Sequence, residues 1–272
     1  MRLLVLSLIS TLLTATAFGQ SYTLTVESSE PVAAEGTVYR FYVNALDPTD
    51  KMSAVYGNDE DTLLFSTPEG IFNSPINGSW NASGMNPALF SFFPELQDDS
   101  FATIGLDLPA SEVVGSEDPS LVQDETLVPT VSNYFQTGGT QLQVNSLLGS
   151  SWYVLNAASN SFPDDDGRWL IAQITTSGSI SGQLNFQVFP FGVGADQVQT
   201  SVQFDGSGLF GESGIFFGCT VEAACNYDPA ANFDNGSCLY FDVCGICGGE
   251  GNDVNNNGLC DSDEVTGCTD ES

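Results

Sequence analysis

The chain has 272 residues with 35 acids against four bases and no histidine, a formal net charge of −31. That field excludes nucleic acid and anionic membrane as electrostatic partners. The missing histidine excludes Ser-His-Asp and Cys-His catalysis and His-ligated zinc or copper, and leaves carboxylate-pair chemistry open.

Residues 1–19 read as a secretory signal peptide. Arg2 supplies a positive charge, Leu3 to Leu13 is apolar apart from Ser and Thr, and small residues follow at Ala15, Ala17 and Gly19. Cleavage after Ala17 or after Gly19 fits. The run is short of the ~20 apolar residues a membrane span needs, and no later segment reaches that length, so no membrane span is expected. An exported chain is secreted or held at the cell surface.

Residues 20–205 predict one all-β domain, an antiparallel β-sandwich with a jelly-roll-like arrangement. Residues 22–26 (YTLTV) alternate and are β-branched, and 37–43 (TVYRFYV) read as a strong strand. Residues 182–189 (GQLNFQVF) place Leu184, Phe186 and Val188 on one face and Gln183, Asn185 and Gln187 on the other. Residues 197–204 (QVQTSVQF) repeat the design with Val198, Val202 and Phe204 inward. Further strands are expected at 62–65, 89–93, 102–106, 142–144, 152–155 and 169–175. Period-two alternation with one polar face marks antiparallel sheets packed on one side. Turn signals separate the runs at Pro48, Gly57-Asn58, Gly138-Gly139 and Asp166-Gly167. The stretches 72–87 and 109–128 read as long surface loops, with glycosylation sequons at Asn77 and Asn81 and another at Asn235 in the tail.

Three acidic clusters, Asp59-Glu60-Asp61, Asp98-Asp99 and Asp164-Asp165-Asp166, read as solvated turns, the last with Arg168 paired to a neighbouring acid. Trp152 and Trp169 lie in strands, where core packing is the usual role. Trp80 lies in a polar loop and is the candidate for exposed ligand contact. A glycan-stacking face built from such aromatics is the alternative function, as a carbohydrate-binding module or a carboxylate-dependent glycoside-acting enzyme.

Residues 206–217 read as a linker or a last strand. All seven cysteines follow, and clustered cysteines in an exported chain read as disulfides. The candidates are Cys219, Cys225, Cys238, Cys244, Cys247 and Cys260, with the pairing open. Residues 218–266 form a Cys/Asp-rich, calcium-binding-like repeat. Residues 253–264 (DVNNNGLCDSDE) fit the spacing D-x-[DN]-x-[DN]-G-x5-E of a calcium loop. Asp253, Asn255, Asn257, Asp261 and Glu264 offer side-chain oxygens, Leu259 its carbonyl, and Gly258 the sharp turn. An oxygen-only set with several carboxylates suits Ca²⁺. Gly-Cys-Thr at 218–220 returns at 267–269, so 267–272 reads as the start of a second repeat and the chain as a fragment.

The words GCT, ACNYDP and DNGSC, with DVCGICGG at 242–249, resemble the repeats of large secreted modular proteins of marine Bacteroidetes. The calcium loop resembles those of thrombospondin type 3 repeats. YRFYVNALDPTDKMSAVYGND and SGQLNFQVFP resemble the N-terminal β domain of the same secreted proteins, whose role the resemblance leaves open. It implies an exported, non-enzymatic surface or extracellular protein: a binding or structural module, with adhesion as one use, on a calcium- and disulfide-stabilised stalk. Its expected partners are calcium and an extracellular glycan or surface protein.

Overall fold

The computed structural model describes residues 21–211, 217–227, 233–234, 238–249 and 251. The signal-peptide reading and the calcium loop 253–264 lie outside them, as does Cys260. The chain divides into two compact units, residues 1–213 and 214–272.

The first unit is an all-β sandwich of two antiparallel sheets. One sheet contains β1 (Thr23–Ser29), β2 (Thr37–Asn44), β5 (Phe101–Ala102), β9 (Arg168–Thr176) and β12 (Gly208–Phe210), in the order β12-β1-β2-β9-β5. The other contains β3 (Lys51–Gly57), β4 (Leu63–Ser66), β6 (Ser120–Val122), β7 (Gln141–Val144), β8 (Ser150–Tyr153), β10 (Ser181–Phe189) and β11 (Val198–Asp205). In this second sheet β10 is the hub. Its 181–188 stretch pairs with β11, and its other edge is shared by β4 and β3, which lead on to β7 and to β8 and β6. A helix α1 (Val131–Thr137) carries Val131, Tyr134 and Phe135 into the core. Thr130 caps its start by accepting from the Asn133 amide, and Gly138, at φ 82°, ends it.

The alternation in β10 sets the register of the core. Leu184, Phe186 and Val188 are buried between the sheets, as their spacing predicts. Phe41 of β2 meets Phe65 of β4 and Phe204 of β11 edge to face, at centroid distances of 5.3 and 5.1 Å. The chain of rings continues from Phe65 to Phe135 and from Phe135 to Trp152. One aromatic network therefore joins both sheets and α1.

Several expectations are corrected. Residues 89–93 form no strand: Pro87 and Pro94 flank them, Asn86 caps a 3-10 turn, and the apolar run coils into successive turns. The 102–106 strand shrinks to Phe101–Ala102. The 109–128 loop contains β6, paired with β8. Within the 206–217 segment, Gly208–Phe210 is a strand on β1. β3 was not anticipated.

Phe65→Ala removes the ring that touches both sheets and α1. The loss is expected to be ~3–5 kcal/mol, read from urea denaturation. A loss below ~1 kcal/mol would show that the network contributes little.

Candidate functional site

Trp80, Asp98 and Asp99 fall elsewhere than expected, whereas Trp152, Trp169 and the Asp164 turn lie where the sequence places them. Trp80 is half-buried and packs against the main core. Its loop is held down by buried polar groups, which the Asn/Ser/Gly composition concealed. Trp152 and Trp169 are 1 % and 0 % exposed, and their indole N–H groups donate to the carbonyls of Thr103 and Ser161. The three tryptophans make no stacking platform. The sequons at Asn77 and Asn81 are buried: the Asn77 amide donates to Asp99 and the Asn81 amide to the Pro119 carbonyl.

Asp98 and Asp99 are not a solvated turn but buried acceptors. Asp98 accepts the amides of Val32, Ala33 and Ala34 at 2.6–2.8 Å and so pins the β1–β2 connection. Asp99 accepts the Ser74 amide and the Asn77 side chain. Burial pushes its carboxyl up to about 7, and the hydrogen bonds from Ser74, Asn77 and Ser100 pull the other way. Asp164 behaves as predicted. It folds a turn by accepting the Asp166 and Arg168 amides, and Arg168 pairs with Glu27, Asp164 and Asp166. The Arg168 guanidinium also lies over the Tyr42 ring.

The structure reveals a site that no motif announced. A cleft of about 460 Å³ is lined by Ser21 and Tyr22 before β1, Leu46, Asp47 and Asp50 between β2 and β3, Pro190 and Phe191 after β10, and Val198 and Thr200 of β11. Val198, read as a core residue, forms part of its wall and is 37 % exposed. Asp50 organises the cleft. Its carboxylate accepts the Tyr22 hydroxyl and the Leu46 and Asp47 amides on one oxygen, and the Phe191 amide on the other. Burial and the adjoining Asp50 carboxylate raise the Tyr22 phenol well above its ordinary value, so it remains a donor. Phe191 has φ 53°, the one positive value at a non-glycine among the described residues. A bulky side chain in that region costs ~1–3 kcal/mol. The bond to Asp50 holds the backbone there, and the ring stands 67 % exposed.

The second unit is stapled by disulfides. Cys219 bonds Cys238 and Cys225 bonds Cys247, an interleaved pair, and Cys244 is disulfide-bonded as well. The Cys244-x-x-Cys247 pair is therefore not closed on itself. β13 (Phe217–Gly218) and β14 (Phe233–Asp234) are two-residue strands. Asp242 accepts the Cys244, Ile246 and Gly251 amides, which pull its carboxyl below the usual range and fix the turn around Gly245. Leu239, Tyr240, Phe241, Val243 and Ile246 are exposed. Among the described residues no cluster of acids or cysteines is arranged to hold a metal, and no helix is long and apolar enough to cross a membrane.

Comparison with protein-family models, curated proteins and solved structures finds no match.

Because Asp99 holds its proton to higher pH folded than unfolded, its contribution favours the fold in acid. That contribution is lost as pH rises from about 4 through 7. Relative to Asp99→Asn, whose side chain does not titrate, the wild type should lose at least ~1 kcal/mol between pH 5 and 8. Urea midpoints at the two pH values measure this, whatever the variant's absolute stability. A constant difference would contradict it.

Proposed function

We propose that this is an exported, non-enzymatic binding protein: a β-sandwich module on a calcium- and disulfide-stabilised tail, working outside the cell or at its surface. The interleaved Cys219–Cys238 and Cys225–Cys247 bridges carry the reading. Disulfides persist in oxidising compartments, and here they join a segment whose described residues form only two-residue strands and bridges. Each loop closure of this kind contributes ~2–4 kcal/mol. The sandwich supports the binding role through its cleft, a concavity whose lining mixes apolar side chains with Ser21, Tyr22, Asp47, Asp50 and Thr200.

Calcium supplies the rest of the tail's order in this reading. Asp253, Asn255, Asn257, the Leu259 carbonyl, Asp261 and Glu264 form an oxygen-only donor set suited to a hard cation and poor for zinc or copper. Charge repulsion among the acids falls when the ion binds, so calcium and disulfides act together on a stalk that would present the sandwich.

Calorimetric titration of the oxidised chain should show saturable calcium binding. Binding should protect the tail from a broad-specificity protease and leave the sandwich's thermal midpoint unchanged. Asp253→Ala and Glu264→Ala should each remove both effects. Absence of binding up to ~10 mM, well above the ~1 mM weak end for extracellular calcium modules, would reduce the tail to a disulfide-linked acidic linker.

A further inference from the structure

The cleft carries charge of one sign. Its described lining contains two carboxylates, Asp47 and Asp50, and neither lysine nor arginine. Lys51, next in the chain, is engaged elsewhere, with the Asn156 carbonyl and the Phe162 ring. The two carboxylates are not equivalent. Asp50 is buried, and its oxygens already accept four donors. Asp47 is half-buried. One of its oxygens accepts the Thr49 amide and hydroxyl, and the other accepts from no described residue. The Thr49 bonds hold this carboxyl below the usual carboxylate range, so it is ionised.

Phe191 belongs to the same lining, and its ring packs in neither hydrophobic core cluster. Its backbone is nonetheless held at a costly positive φ by the bond to Asp50. That bond gives the cleft an exposed aromatic ring rather than giving the core a buried one. Leu46, Pro190 and Val198 add apolar surface, with Leu46 and Val198 both partly open to solvent. The half-buried Thr200 adds a hydroxyl.

We infer that the cleft binds a small organic ammonium ion, a protonated amine carried on an apolar body. The ammonium would donate to the unshared oxygen of Asp47 and lie against the face of the Phe191 ring. The apolar body would cover Leu46, Pro190 and Val198 and remove their surface from water. The volume of about 460 Å³ falls within the ~300–1,000 Å³ range of small-molecule sites.

Charge decides the class of ligand. An anion would meet two carboxylates and no described base, on a chain carrying −31. A neutral ligand of the same shape makes only uncharged hydrogen bonds to Asp47, and charge-assisted ones are roughly twice as strong. A hard metal ion needs about six to eight oxygens, whereas the oxygens of Asp50 are turned to N–H and O–H donors. This inference rests on reading the sandwich as a binding module and names the ligand of its cleft. It is independent of the tail, so a failed calcium titration leaves it standing.

The probe is hexylammonium, titrated into the full oxidised, isotope-labelled chain at ~0.15 M salt and followed by amide NMR shifts. Hexanol is the neutral control, and tetramethylammonium the control with charge but no apolar body. Hexylammonium should shift the amides of Asp47, Phe191 and Val198 saturably, and both controls should bind about tenfold more weakly. Asp47→Asn keeps an acceptor for the Thr49 turn, and Phe191→Gly suits the positive φ. Each should weaken binding about tenfold. Phe191→Tyr keeps the ring and should bind as the wild type does. So should Glu125→Gln, an exposed acid after β6, with three strands between it and β11. Equal binding of hexanol would overturn the ammonium assignment and leave the sandwich a binding module. Equal loss in Glu125→Gln would mean diffuse attraction and overturn the proposal. Cleft amides that respond to none of the three probes would overturn it too, and would remove the cleft's support for a binding role.

Discussion

The fold depends on carboxylates, buried at Asp50 and Asp98 and more open at Asp164 and Asp242, that accept backbone N–H groups. With four bases for 35 acids, most carboxylates have no cation to meet. Leaving a buried donor without a partner costs ~1–3 kcal/mol, so a short acid placed among loop amides stabilises irregular chain. Asp50 does this for the cleft, Asp98 for the β1–β2 connection, Asp164 for the turn into β9 and Asp242 for the turn between the tail's cysteines. Each fixes a segment that neither sheet nor core would fix. Asp50 is the richest case, because its four donors come from three separate segments that meet only in the folded sandwich.

The two units solve the stability problem differently. The sandwich buries a continuous aromatic and aliphatic core between its sheets and closes it with α1. The tail is closed covalently, and among its described residues Leu239, Tyr240, Phe241, Val243 and Ile246 are exposed. In the proposed reading function follows the same division: the sandwich offers its cleft for binding, and calcium would stiffen the tail.

What was legible in the sequence was local. The alternation of β10 and the pairing of Arg168 with its own acidic turn each rest on residues within a few positions of one another. What was not legible depends on distant chain. Asp98 takes its donors from 64–66 residues away. Trp80 reads as exposed because its neighbours are polar, yet those polar side chains serve to bury the loop. β3 opens on Lys51 and closes on Gly57, so its alternation is weak, and its neighbours β10 and β8 define it. Residues 89–93 are apolar enough for a strand, but the flanking prolines decide otherwise. The cleft draws its lining from four places in the chain, and no single window of sequence contains it.

One carboxylate, that of Asp50, shapes the cleft by holding three segments. Residue-resolved hydrogen exchange of Asp50→Ala against wild type checks this. The amides of Leu46, Asp47 and Phe191 should be protected in the wild type and exchange freely in the variant, while β2, β9 and β10 stay protected. Unchanged exchange at those three amides would contradict the account and make the cleft a by-product of the sandwich alone.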